Sequence, residues 1–446
     1  MNRISYVDKL TAWVNSSRRK PLVLEGARQV GKTWLMQEFA KKHFEHVVYA
    51  RFDKDKLLRN IFTRDFDLER IVRDLQIRFN TTIDSRNTIL LLDEIQSCKD
   101  AITALKYFCE ERPDLPIIAA GSLLGLEYRD DDQERSSNGD DEETTGFPVG
   151  KVNMLEVHPF SFVEFLDAVG QESLAACIRQ CDWERIATFG EPLTDLLKHY
   201  YVVGGMPEAV DRFAETGDYT LVRHIQDTIL MDYLDDMSKY QGNANEIKKT
   251  RLTYNNIAVQ LSKKNTRFQY KLIKSGARAA EYENAVEWLT MANLVSQIYR
   301  AEQIKKPLEN YRDIDSFKIY LSDLGLLCAK KDIVPNDILY MVDELDDFKG
   351  GMAENYVNTQ LVMNGFTTYY WESDRGAEVD FVIQLCGKLI PIEVKSADNV
   401  KAKSLKVYIE ANKPDYAIKI SAKNFGFENN IKTIPLYAAF CISNPE

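Results

Sequence analysis

The sequence predicts a multidomain α/β chain, and three observations carry that prediction. A short apolar run, Leu22-Val23-Leu24, feeds a glycine-bearing loop and then a helical pattern. Further apolar strand-like runs alternate with helical segments through the N-terminal part, as in a doubly wound parallel sheet. Near the C-terminus a second strand-rich stretch sets single charged residues into otherwise apolar runs. A chain of 446 residues is about three domains' worth of length.

Composition narrows the class. Apolar residues make up 45% and charged residues 28%, which is ordinary for a globular chain with several cores. No run approaches the roughly 18 uninterrupted apolar residues of a membrane helix. The first residues, Met1-Asn-Arg-Ile-Ser-Tyr, lack the charged-then-apolar pattern of a signal peptide. The seven cysteines (98, 109, 177, 181, 328, 386 and 441) are scattered and suggest neither zinc nor a disulfide framework. A cytoplasmic chain with no membrane segment is the expectation. The net charge of −11 argues against nucleic acid only on average. Residues 129–143 carry eight carboxylates against two arginines, whereas residues 248–306 carry twelve Lys and Arg against four Glu. Local charge therefore bears on partners more than the total does.

Taken in order, a helical pattern at residues 5–19 leads into the first strand. Next comes Gly26-Ala27-Arg28-Gln29-Val30-Gly31-Lys32-Thr33, which fits G-x-x-x-x-G-K-[ST] at each fixed position. The glycines let the backbone curl so that successive N–H groups face one phosphate chain, and the helix opening at Trp34 adds its positive end. Residues 26–34 would thus cradle ATP, Lys32 would reach its β- and γ-phosphates, and Thr33 would hold Mg²⁺. A second strand follows at 46–53, then helical segments from 55 to 78. The run Thr88-Ile-Leu-Leu-Leu-Asp93-Glu94 reads as a buried central strand ending in two carboxylates. Asp93 would take Mg²⁺ through water, and Glu94 would act as general base toward the attacking water. Another apolar strand ends at Gly121-Ser122, making Ser122 either a γ-phosphate sensor or an ordinary helix-starting serine. The acidic stretch near 129–146 reads as a disordered insert.

Residues 166–243 are mostly helical in pattern, broken at Gly204-Gly205-Met206-Pro207. From 244 to 334 three helical segments and a strand pair spell a winged helix. Its Lys248, Lys249, Arg251, Lys263, Lys264, Arg267, Lys271, Lys274, Arg278, Arg300, Lys305 and Lys306 would suit a phosphate-tracking surface. The third helix is acidic (Glu281, Glu283, Glu287), so a packing module that transmits nucleotide state is the competing reading.

Within 335–446 the pattern runs α-β-β-β-α-β. Asp380, Glu393 and Lys395 interrupt apolar strands, where a lone buried charge costs several kcal/mol (about 2 or more even after relaxation) and so needs a reason. Side chains two apart on a strand share a face, so Glu393 and Lys395 flank one point that Asp380 on the next strand can reach. Carboxylate oxygens there suit Mg²⁺ gripping a phosphodiester, with Lys395 positioning or activating water. A solvent-facing charge pair, or a fold used only for binding, is the other possibility.

These motifs together carry a resemblance. Gly-Ala-Arg-Gln-Val-Gly-Lys-Thr, Leu-Leu-Asp93-Glu94-Ile-Gln, Ala-Gly-Ser-Leu-Leu, His158-Pro-Phe-Ser-Phe-Val-Glu-Phe165 and Tyr201-Val-Val-Gly-Gly-Met-Pro-Glu208 resemble the AAA/STAND-lineage ATPases of bacteria and archaea. Those ATPases end in a domain of unknown function. The Asp380…Glu393-x-Lys395 trio resembles the PD-(D/E)xK, restriction-endonuclease-like family, with Val379 in place of its proline. The resemblance implies a P-loop parallel-sheet ATPase core (1–165), a helical lid (166–243), a winged-helix middle (244–334) and an α/β restriction-endonuclease-like C-terminal domain (335–446). It also implies an extra acidic residue at Glu354. An arginine usual before the His158 block is Lys151 here, which keeps charge but loses the bidentate fork. The expectation is an ATPase with ATP and Mg²⁺ as cofactors, meeting DNA through residues 248–306 and the C-terminal domain. A non-cleaving regulatory switch with a protein partner is the alternative, and self-association stays open.

Overall fold

A computed structural model describes residues 3–121, 147–239, 243–263, 267–396 and 403–444. The chain divides into two compact units: Arg3–His158 (with Met291–Asn293), and Pro159–Thr290 with Leu294–Glu446.

The first unit is built on a parallel sheet of β1 (Leu22–Glu25), β2 (His46–Arg51), β3 (Thr88–Asp93), β4 (Ile117–Ala120) and β5 (Asn153–Glu156), in the order β2-β3-β4-β1-β5. Helices α1 (Ile4–Val14), α2 (Lys32–His43), α3 (Lys56–Thr63), α4 (Leu68–Phe79) and α5 (Lys99–Glu111) accompany it. All six residues of β3 are buried, which is why its sequence is apolar without alternation. Side chains such as Leu90, Leu92, Phe52, Phe62 and Phe108 form one core. Each such buried side chain contributes roughly 1.5–3 kcal/mol relative to exposure. Aspartates set the helix starts: Asp55 accepts from the Leu58 amide at 3.0 Å, and Asp67 from Glu69 and Arg70 at 3.0 and 3.2 Å.

Register decides where chemistry can happen. Arg51 pairs with Asp93, Asp93 with Ala120, and Glu25 with Glu156, so these strand ends line one edge. Gly26 leaves the sheet from that edge. Lys151 precedes β5 and therefore stands at the opposite edge, where it ion-pairs with Glu110 at 2.7 Å. Within this chain it does not face the P-loop. The edge strand β5 was not foreseen, since Asn153, Met154 and Glu156 are exposed and show no apolar run.

The second unit begins with helices α6 (Phe162–Ala168), α7 (Glu172–Arg179), α8 (Trp183–Thr188), α9 (Gly190–Val203), α10 (Pro207–Thr216) and α11 (Tyr219–Lys239). Then follow α12 (Ala244–Leu261), α13 (Ala279–Met291), β6 (Val295–Ala301), β7 (Arg312–Leu321), α14 (Leu324–Lys330) and α15 (Pro335–Leu339). The C-terminal stretch adds α16 (Asp346–Met363), β8 (Tyr369–Glu372), β9 (Glu378–Leu385), β10 (Lys388–Val394), α17 (Lys403–Asn412), β11 (Ala417–Ser421), β12 (Gly426–Glu428) and β13 (Ile431–Pro435). All eight strands form one sheet, β12-β13-β11-β10-β9-β8-β6-β7. The β6–β7 ribbon expected to complete a winged helix is thus hydrogen-bonded into the C-terminal sheet, through parallel pairing of Tyr299 with Tyr369.

Two sequence blocks meet in one tight backbone node of this unit. Ser161 and Glu164 form a capping box that starts α6. The Phe160 amide donates to the Gly205 carbonyl at 2.6 Å, and the Gly205 amide to Asp323 at 2.6 Å. The Tyr200 hydroxyl donates to the Phe160 carbonyl at 2.6 Å. A Cβ on Gly205 would lie 2.1 Å from that carbonyl oxygen, which explains the glycine.

Candidate functional sites

The first site gathers at the C-terminal edge of the parallel sheet. Gly26 has φ +135°, and a Cβ there would lie 2.1 Å from the Val157 carbonyl oxygen. Gly31, at φ 91°, turns the loop directly into α2. Both positions need glycine, the first for room and both for conformation. Ala27 and Val30 are buried and anchor the loop, whereas Arg28, Gln29 and Trp34 are half-buried. Arg3, itself buried, donates to the Val30 carbonyl at 2.9 Å and to the His158 carbonyl at 2.6 Å, tying the loop to the strand β5 exit.

The Lys32 ammonium rests inside the loop, donating to the carbonyls of Gly26 and Ala27 at 2.7 and 2.8 Å. Burial pushes its pKa down to about 8, against the opposing pull of Glu94 and Asp93. The Thr33 hydroxyl donates to the Asp93 carboxylate at 3.0 Å. The other donors to Asp93 are the Tyr49 hydroxyl at 2.6 Å and the Glu94 amide at 3.1 Å. Burial, together with its bond to Asp93, pushes the Tyr49 phenol well up, so it stays a donor. Glu94 adopts φ 51°, turning the chain at the strand tip, and its carboxylate accepts from the Gln96 amide group at 2.6 Å.

The structure therefore brings the loop, Lys32, Thr33, Asp93 and Glu94 together, with oxygen donors of the hard-cation type. Ser122 and the acidic insert lie outside the described residues. Sequence reasoning missed Tyr49 and Gln96. Tyr49 carried no signal beyond its place on the strand beside β3. Gln96, two residues past the general-base candidate, was visible but had no role assigned.

The second site lies on the eight-stranded sheet. The register that pairs Ile392 with Phe381 brings Glu393 opposite Asp380 at the next step. Asp380 is buried and accepts from the Val394 amide at 2.7 Å. Glu393 is 2% exposed, and its Oε1 meets the Lys395 ammonium at 2.6 Å. Its Oε2 is buried with no hydrogen-bond partner among the described residues. Glu354, on α16, accepts from the Tyr320 hydroxyl at 2.7 Å. Burial and the neighbouring Glu354 and Glu393 push Asp380 well above the usual carboxylate range. Burial likewise raises Glu393, against the pull of Lys395. Burial alone would lower Lys395, but Asp380 and Glu393 outweigh it and hold its pKa up.

One participant was not foreseen. Lys318 of β7 is fully buried, with its ammonium 2.5 Å from Glu378 and 3.5 Å from Glu354. The Tyr370 ring lies 5.2 Å beneath the same ammonium. Among the described residues, no three His, Cys, Asp or Glu side chains converge as a complete metal cage. Asp380 and Glu393 nevertheless fit Mg²⁺, which takes one or two carboxylates and completes its shell with water and phosphate oxygens. The unpartnered Glu393 Oε2 is the donor such an ion would use.

In the 248–306 region, Lys263, Lys271, Lys274 and Arg278 are exposed and form no ion pair among the described residues. Others of the cations are engaged. Lys249 pairs with Glu246 at 2.9 Å and Arg300 with Asp313 at 2.8 Å, while Arg251 donates to the Leu234 carbonyl at 2.8 Å. Among the described residues, no helix is long and apolar enough to cross a membrane.

Residues 18–166 match the model of an AAA domain family. Residues 194–337 and 349–439 match two families described only as domains of unknown function, DUF8612 and DUF4143. No curated protein matches the chain. Among solved structures, the Walker-type ATPase PABY2304 of Pyrococcus abyssi is 15% identical, with TM-score 0.46, over 74% of this chain and 95% of that one. The Aeropyrum pernix ORC1 protein in complex with DNA is 11% identical, with TM-score 0.27, over 74% of this chain and 91% of that one. Drosophila ORC bound to DNA is 13% identical, with TM-score 0.27, over 76% of this chain and 86% of that one. Such values are too low to transfer a ligand or a partner. The family match and the loop geometry together make residues 18–166 a P-loop ATPase domain of the AAA type.

Proposed function

We propose that the chain is a Mg²⁺-dependent, ATP-hydrolysing switch or motor whose C-terminal module is nuclease-like and acts on or near DNA. The observation that carries the ATPase half is the meeting of Thr33 and Asp93 at 3.0 Å beside the buried Lys32. Residues 60 positions apart converge there because α2 begins where β3 ends, at one edge of the sheet. In this reading Lys32 leaves the Gly26 and Ala27 carbonyls to meet the β- and γ-phosphates. Thr33 and Asp93 would hold Mg²⁺, which when bound neutralises charge on the phosphate oxygens. Glu94, oriented by Gln96, takes a proton from the attacking water. Ser122, which lies outside the described residues, is retained in this reading as the candidate γ-phosphate sensor.

For the C-terminal module, buried Asp380 and Glu393 would hold a second Mg²⁺ against a phosphodiester, and Lys395 would position water. Glu354 would support this shell. The exposed cations Lys263, Lys271, Lys274 and Arg278 support contact with a polyanion such as DNA. The division into an ATPase core, lid, winged-helix middle and nuclease-like domain is retained as part of the proposal. So is a cytoplasmic location.

A second reading has a specific observation in its favour. Lys318 already pairs with Glu354 and Glu378, so the acidic pocket carries its own cation. A domain that binds nucleic acid or a protein partner without cutting, under control of nucleotide state, fits that feature. A plasmid-nicking assay with Mg²⁺ separates the two. Metal-dependent cutting that Asp380→Ala and Lys395→Ala both abolish supports the nuclease. No cutting, with or without ATP, favours the regulator.

A further inference from the structure

Lys318 comes from β7, within the segment that precedes the C-terminal module, and reaches the acidic pocket only because the β6–β7 ribbon joins the sheet. Four carboxylates (Glu354, Glu378, Asp380 and Glu393) and two ammoniums (Lys318 and Lys395) line this pocket, although no three of the carboxylates converge on one point. They fall at two ends. Lys395 stands with Glu393 and Asp380, while Lys318 stands with Glu378, Glu354 and the Tyr320 hydroxyl.

The two ends differ in what they lack. At the Lys318 end, Glu354 and Glu378 already share a cation carried on a fully buried stem. At the other end the Glu393 Oε2 is buried and has no hydrogen-bond partner among the described residues. Two-ion phosphodiester sites hold their metals about 3.5–4 Å apart between shared carboxylates. An ammonium fixed at one end repels a second dication there and leaves the orphaned oxygen for a first.

We propose that Lys318 is a built-in counter-cation that limits this pocket to a single divalent ion, held by Asp380 and Glu393. The inference rests on the reading of Asp380 and Glu393 as a cation site. It makes the site composite: its carboxylates come from the C-terminal module and its fixed charge from the ribbon before it.

The test is equilibrium binding of Mn²⁺ to the full-length chain, read by electron paramagnetic resonance. An Asp93→Asn background removes the ion at the P-loop end. The protein retaining Lys318 binds one Mn²⁺, and Asp380→Asn weakens that binding at least tenfold. Lys318→Met, of similar length but uncharged, binds two. Lys318→Met/Glu378→Gln, which removes both partners of the pair, weakens the second site at least tenfold. One ion of unchanged affinity in Lys318→Met overturns the role of Lys318 while leaving the cation site standing. No ion in any of these proteins overturns the cation site and the inference with it. Should Lys318→Met fail to fold, Lys318→Gln, also uncharged, takes its place with the same two readings, and the protein retaining Lys318 offers an independent refutation. At saturating Mn²⁺ it gives isolated-ion spectra, and a spin-coupled Mn²⁺ pair refutes the proposal.

Discussion

Tyr49→Phe isolates the least anticipated part of the ATPase site. The substitution removes one hydroxyl and keeps the ring, so packing in β2 is unchanged while Asp93 loses its shortest hydrogen bond, 2.6 Å. Asp93 then keeps the Thr33 hydroxyl at 3.0 Å and the Glu94 amide at 3.1 Å. Thr33 is itself a proposed Mg²⁺ ligand, so its bond to Asp93 is given up when the ion binds. Tyr49 is then the side chain left to aim the carboxylate. A hydrogen bond to a charged acceptor is worth about 1.5–3 kcal/mol. Loss of a group that orients a metal ligand costs about 10–100-fold in metal affinity or activity. Both figures point to the same size of effect. In steady-state ATP hydrolysis, Tyr49→Phe should need at least about tenfold more Mg²⁺ for half-maximal rate. The rate should recover at saturating Mg²⁺, and the melting temperature should stay near wild type. A Mg²⁺ requirement within twofold of wild type would refute the role given to Tyr49.

Other substitutions probe neighbouring claims. Lys32→Ala should abolish nucleotide binding, and ATP affinity retained within a few-fold would count against the loop assignment. Burial lowers the Lys32 pKa to about 8, so the free protein loses the phosphate-binding ammonium as pH rises through 8. ATP affinity should therefore fall above pH 8, by up to about tenfold per pH unit, while Lys32→Arg, charged throughout, removes the pH dependence. A flat profile from pH 7 to 9.5 in the unsubstituted protein contradicts this. Glu94→Gln should bind ATP nearly as well yet hydrolyse it at least 100-fold more slowly, about what removal of a general base costs; undiminished turnover sinks the assignment. Gly205→Ala puts a methyl 2.1 Å from the Phe160 carbonyl oxygen, so its unfolding free energy should drop by about 3 kcal/mol or more by chemical denaturation. An unchanged midpoint would show that the node can relax.

What the sequence made legible depended on locality. The phosphate loop is one continuous segment whose glycines, lysine and threonine act at fixed spacing, so it could be read directly. Asp93 and Glu94 were legible because carboxylates end a strand that is otherwise apolar. Asp380, Glu393 and Lys395 were legible for the same reason; the strands carrying Asp380 and Glu393 formed where apolar runs placed them, and Lys395 stands one residue past the end of β10. Tyr49 and Lys318 were not legible, because each acts through pairing with distant chain. Tyr49 matters only once β2 lies beside β3. Lys318 sits in Phe317-Lys-Ile-Tyr-Leu, which reads as one strand of a winged-helix ribbon; in the structure that ribbon joins the C-terminal sheet and Lys318 is fully buried. The edge strands β5 and β12 were missed because edge positions need few apolar residues, and the short β13 between β12 and β11 likewise shows no alternation.

In the proposed function the chain carries two separate sites for a divalent ion, one at each acidic constellation. Anomalous diffraction from crystals grown with Mn²⁺ and a non-hydrolysable ATP analogue tests it most directly. The expected result is one ion between Thr33 and Asp93 with Lys32 moved onto the phosphates, and a single second ion between Asp380 and Glu393. Nucleotide bound away from Lys32, or no ion between Asp380 and Glu393, would contradict it.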